Sequence, residues 1–172
     1  MLLQRTQQAY DWINKYLNSI STDRWDETPP VVDSNVSWQL GHLTLSAYFH
    51  SVLVIKGHQP DILQAIPIKD YSRLYHRTAA REAVGKFSPE EMLTHWTTMQ
   101  TRSLEIIDSL TEEELKSPLV PTDFPHPVAN IKREALEWNI LHNHYHFGQL
   151  GLIRRVLLGE PYDYFSGNLR EE

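Results

Sequence analysis

The apolar residues of this chain recur at helical offsets in four segments, and nowhere does a strand-length run alternate Val, Ile or Thr with polar residues between turn pairs. That pattern predicts an all-α fold. In the first segment Ala9, Trp12, Ile13, Tyr16, Leu17 and Ile20 share one helix face, and Ser21 and Thr22 close it ahead of Pro29 and Pro30. The second runs from about Ser37 to Ile55, with Trp38, Leu43, Leu45, Tyr48, Phe49, Val52 and Leu53 spread around most of its circumference, and stops at Gly57. A helix so apolar all round is expected at the centre of a bundle or against a second subunit.

The third segment has the clearest start. Ser88 is placed as N-cap, Pro89 at the first helical position and Glu91 three residues after the cap, the pattern of a capping box. Met92, Trp96, Met99, Ile106 and Leu110 form its stripe, and Thr111 to Lys116 read as a separate turn before Pro118. The fourth segment runs from about Asn130 to Leu158, stopped by Gly159 and Pro161, with Leu141, Tyr145, Leu152 and Val156 expected along its buried side. Together these predict a four-helix bundle with a long connection, His58 to Phe87, between the second and third helices.

At 172 residues the chain is expected to form a single domain over 1–172. It contains no cysteine, which removes disulfides, thiolate metal ligands and a cysteine nucleophile. Any thiol that the chemistry needs must come from outside. A net charge of −6 argues against a phosphate-binding surface, so no nucleic-acid partner is expected. The N-terminal stretch is interrupted by Arg5, Gln7, Gln8, Asp11 and Asn14 and does not read as a signal peptide; no run is long enough to span a membrane. A cytoplasmic location is the expectation, and Asn35-Val36-Ser37 is then a chance match to a glycosylation acceptor.

The stretch LHNHYHFGQLGLIRR, residues 141 to 155, carries three histidines in five positions. With about 100° of rotation per residue, His142 and His146 stand one turn apart on one face, whereas His144 points away. Such a pair can chelate one divalent metal, or simply pack. A third ligand from another helix is best supplied by His42, placed among Trp38, Leu43 and Leu45; His50, eight residues on, ranks second. His58, His76, His95 and His126 read as surface or packing residues. Trp38, Trp138 and Tyr145 either line a pocket or belong to the packing. The zinc-protease motif is excluded because Asn143 stands where its glutamate would be, and the ferritin-like motif because no glutamate has a histidine three residues later.

WQLGHL at 38 to 43 and HNHYHFGQLGLIRRVLLGEP at 142 to 161 resemble the DinB-like (YfiT-like) superfamily of metal-binding four-helix bundles. The resemblance implies His42, His142 and His146 as metal ligands, zinc or nickel as the metal, and frequent homodimers. It also implies a metal-dependent enzyme, either a low-molecular-weight-thiol S-transferase or a hydrolase acting on a small molecule. Members commonly carry an acidic residue where this chain has Asn143, which leaves the ligands intact and removes a carboxylate from that position. Gln149, seven residues after His142 and on nearly the same face, is a candidate to orient a ligand or bound water, or else an ordinary amide. The competing reading is a non-catalytic, dimeric helical bundle that binds a metal or an apolar ligand.

Overall fold

The computed structural model describes residues 1–164, and the regular structure of the described residues is all helical, apart from one isolated antiparallel bridge between Pro118 and Ile131. Helix α1 (Leu2–Asn18) buries Ala9, Tyr10, Ile13, Tyr16 and Leu17. Helix α2 (Val36–Tyr48) is capped by Asn35, whose side chain accepts the amide of Trp38 at 2.8 Å. It then passes through a π-helical turn, Phe49–Leu53, into the short α3 (Val54–Lys56), and Gly57 ends the path at a φ of +79°. The single helix expected there is therefore continuous but locally widened and underwound, and π-turns of this kind gather at functional sites.

The 58–87 connection is itself built, with α4 (Pro60–Ala65), α5 (Ile68–Tyr75) and a 3-10 turn at Ala80–Glu82. Helix α6 (Pro89–Ser109) starts at a complete capping box: Ser88 Oγ accepts the Glu91 amide and the Glu91 carboxylate accepts the Ser88 amide. A one-turn helix, α7 (Glu112–Leu115), precedes the long α8 (Lys132–Leu158), which Gly159 terminates in the left-handed conformation.

Helix α1 packs on α8 and α6, and α2 packs on α6, α5 and α8, so α2 is surrounded and its apolar circumference is explained. Trp25, Trp96, Tyr10, Leu40, Leu43 and Met92 form the centre of the core. No helix among the described residues is long and apolar enough to cross a membrane.

The face of α8 differs from the expectation. Leu141, Tyr145, Leu152 and Val156 are 58%, 64%, 50% and 39% exposed, whereas Leu136, Asn139, Asn143, His146, Leu150, Ile153 and Leu157 are buried. The buried arc contains polar residues, and an apolar count misassigns it. Those polar groups have partners inside: Asn139 donates to the Tyr10 hydroxyl at 3.1 Å, Tyr10 donates to Ser103 at 2.8 Å, and Asn143 donates to the Asn139 carbonyl at 2.8 Å. Buried polar atoms satisfied in this way cost little, and the helix turns its amide-bearing side inward, with the Asn143 Oδ1 left as the one buried oxygen of this group without a partner.

Candidate metal centre

Three imidazoles converge where α2 meets α8. His142 Nε2 lies 3.4 Å from His42 Nε2 and 3.2 Å from His146 Nε2, and the three ligand atoms all fall within 4.8 Å of one another. The far side of each ring determines what the near side offers. His42 Nδ1 donates to the backbone carbonyl of Tyr75 at 2.7 Å, and His146 Nδ1 donates to Oε1 of Gln39 at 2.6 Å. With their protons on Nδ1, both rings present a bare Nε2 lone pair to the shared centre.

The acceptors are themselves held. Tyr75 is the last residue of α5, where a helix leaves carbonyls without intrahelical partners. Gln39, 1% exposed, donates through Nε2 to Ser34 at 2.8 Å and to Oε1 of Gln149 at 2.7 Å. Gln149 thus reaches His146 through Gln39, not by direct contact with the ring. Trp38 stacks on His42, with ring centroids 5.1 Å apart and planes within 7°. A Cβ at Gly41 would come within 2.4 Å of the Tyr75 ring, so only glycine lets α5 lie close enough for its terminal carbonyl to meet His42. Each residue of the 38–42 stretch except Leu40, which is core, has a visible task at the site.

Burial pushes the pKa of all three rings down. Burial and then the charges of His42 and His142 take His146 to about 2; burial and then His42 take His142 to about 4. His42 is lowered by burial, opposed by its bond to Tyr75. Neutral imidazole is the form that ligates a metal. A tetrahedral cation with bonds of about 2.0–2.1 Å sets its ligand nitrogens roughly 3.3–3.4 Å apart, close to the Nε2 separations of 3.4 and 3.2 Å. His142, whose buried Nδ1 has no partner, is the one ring of the three without a fixed tautomer, and its Nε2 is within hydrogen-bond distance of both others. The donor set therefore fits a divalent metal that takes nitrogen ligands.

The remaining histidines divide. His144 is exposed and bonds the Ile140 carbonyl, away from the cluster. His58 and His95 each bond a tyrosine hydroxyl, of Tyr48 and Tyr71, in packing roles, and His76 is exposed. His126 departs from the expectation: its Nε2 lies 2.8 Å from Nδ1 of the buried His50, whose ring centroid is 5.5 Å from that of His142. A proline-rich segment carries it there, and no spacing rule connects residue 126 to 50. A cavity of about 350 Å³ beneath that segment is lined by Val54, Leu119, Pro121, Pro125 and His126. Trp138 stacks near His142 with centroids 6.5 Å apart, whereas Tyr145 stands exposed with its ring edge-on to His146. Asn143 faces the buried Asn139 and Tyr10 side, so the residue that replaces the acidic one belongs to the core network.

The profile of a protein family described as the DinB superfamily matches residues 5–150, a span that includes all three converging histidines and Gln149. A crystal structure titled as a conserved protein of locus from Enterococcus faecalis superposes with a TM-score of 0.69 at 15% identity, covering 92% of this chain and 96% of that one. That likeness is one of fold. No curated protein matches the chain.

Proposed function

This chain belongs to the DinB superfamily, and from that premise we propose that it is a metal-dependent enzyme in which His42, His142 and His146 hold one divalent cation. The architecture is read as a four-helix bundle of α1, α2, α6 and α8, with the 58–87 connection laid against α2. The observation that carries the proposal is the pair of Nε2 separations, 3.2 and 3.4 Å, from His142 to two rings whose opposite nitrogens are anchored on Gln39 and Tyr75. Zinc or nickel is the metal proposed; three protein ligands leave it a position for an exchangeable group, and when bound it supplies Lewis acidity and an acidified water or thiol.

The chain's own residues do the holding. Tyr75 and Gln39 fix the tautomers of His42 and His146 and keep both rings from rotating. Trp38 shields one face of His42 from water. No carboxylate joins the histidine group among the described residues, so no acidic side chain is assigned as general base. The reaction proposed is transfer of a low-molecular-weight thiol to a small electrophile, or hydrolysis of a small ester or amide. The lack of cysteine accords with sulfur supplied by a cosubstrate.

The test is metal content and turnover of untagged protein. One equivalent of zinc or nickel is expected in the wild type, lost in His42→Ala, His142→Ala and His146→Ala and retained in His144→Ala. Equal loss in His144→Ala would overturn the ligand assignment. A metal-replete protein inert toward a broad panel of thiols, electrophiles and esters would instead support the non-catalytic reading.

We also propose a homodimer. The face of α8 bearing Leu141, Tyr145, Leu152 and Val156 is uncovered, and at Gly148, between them, an added Cβ would meet nothing within 4 Å. A glycine inside an exposed helix costs about 0.5–1 kcal/mol relative to alanine, and close approach of the same helix from a second copy would give it a use.

A further inference from the structure

Beside the histidine triad lies a second pair of imidazoles whose hydrogen-bond directions are set by the backbone. His126 sits between Pro125 and Pro127, and its Nδ1 accepts the amide N–H of Ala129 at 3.0 Å and of Val128 at 3.3 Å. An Nδ1 that accepts carries no proton, so the ring proton of neutral His126 is on Nε2. That Nε2 is 2.8 Å from His50 Nδ1 and donates to it. His50 in turn must carry its own proton on Nε2. Two backbone amides thus dictate, through two rings, which nitrogen of a buried side chain is the donor.

The His50 Nε2–H makes no hydrogen bond to protein among the described residues and is not sealed from solvent. Its ring lies between His126, with centroids 4.9 Å apart, and His142, at 5.5 Å. It is carried by the π-helical turn that interrupts the α2 path. A donor left over by the packing, next to a cluster in which His42 and His146 both present lone pairs, is available to a ligand. We propose that His50 donates a hydrogen bond to the group held at the metal's open position, an anionic oxygen or sulfur of the substrate or cosubstrate, and that His126 is the positioning residue that keeps this donor aimed. The inference rests on the metal reading above. It adds a polar contact that selects ligands whose bound atom retains a free lone pair, and it gives the proline-rich segment a connection to the site.

Two measurements test it. Long-range proton–nitrogen NMR spectra of the metal-free, full-length chain should show both His50 and His126 protonated on Nε2, with His50 losing its single tautomer in His126→Ala. A proton on Nδ1 of His50 in the wild type overturns the proposal, and that result does not involve metal. The second measurement is azide binding to cobalt-loaded protein, followed by its visible absorption. His50→Phe should take up cobalt normally and bind azide about tenfold more weakly, the loss of one hydrogen bond to a charged group, and His50→Gln, which retains a donor, should lose less. Unchanged azide affinity in a cobalt-replete His50→Phe overturns this inference alone, whereas failure of the wild type to take up cobalt overturns the metal reading on which it stands.

Discussion

Gln39 accepts the Nδ1–H of His146 at 2.6 Å and so fixes a side chain 107 residues away on another helix. The same amide is held by Gln149, one helical turn further along α8 from His146, so α2 and α8 are tied to each other twice at this level. A metal ligand that lacks its outer hydrogen bond typically binds about 10–100-fold more weakly. Gln39→Ala should therefore weaken zinc binding by about that factor, and Gln149→Ala by less because it acts through Gln39. Competition against a chromophoric chelator measures both; an equal or larger loss in Gln149→Ala would show that Gln149 reaches the metal by another route.

Gly41→Ala is expected to be costly for a residue that adds one methyl group. The Tyr75 ring occupies the space, at 2.4 to 2.6 Å from the added carbon, so α5 must move and take the His42 acceptor with it. Overpacking of this kind costs about 1–3 kcal/mol, or about 2–4 °C of Tm for each kcal/mol in a chain of this size. A thermal melt of the metal-free protein gives the first effect and chelator competition the second. Alanine at Gly148, where nothing crowds the position in the monomer, serves as the control for helix propensity.

The metal-free protein should lose stability on acidification below neutral pH. In the unfolded chain the histidines take up protons near pH 6.5, whereas burial holds folded His142 down to about 4 and His50 and His146 down to about 2. Between these limits the unfolded state binds more protons, so the stabilisation is full above pH 6.5 and falls as the pH drops, by at most about 1.4 kcal/mol per pH unit for each ring. Melts at pH 7.5 and pH 5.0 should differ, with the lower Tm at pH 5.0, and saturating zinc should raise both Tm values without closing the gap, because the zinc-bound rings take up no protons. A Tm that rose toward pH 5.0 would contradict the buried, neutral state of these rings.

If α8 is the subunit interface, charge placed on its uncovered stripe should separate the copies and leave the metal site alone. Leu152→Glu and Val156→Glu are expected to convert a dimer to a monomer by light scattering coupled to gel filtration, with metal content unchanged. Dimers that persist in both variants would place the interface elsewhere.

Helix limits were legible because punctuation is local: Ser88 and Glu91 close a capping box, and Gly57 and Gly159 take left-handed or otherwise positive φ. The convergence of residues 42, 142 and 146 was legible from one-turn spacing and from a histidine among apolar neighbours. The inner face of α8 was not, because Asn139, Asn143 and His146 are buried by hydrogen bonding, which hydropathy does not register. Gln39 and His126 were missed for a related reason. Their tasks are defined by partners, His146 and His50, that are 107 and 76 residues distant. Gln149 was noticed, but its link through a second amide could be seen only once α2 and α8 were set side by side.

Because the carbonyl that orients His42 belongs to the final residue of α5, filling or emptying the centre will be felt in a segment that supplies no ligand. Amide hydrogen exchange across residues 68–75 then becomes a remote gauge of occupancy, slow when His42 is pinned from both sides and faster when it is released.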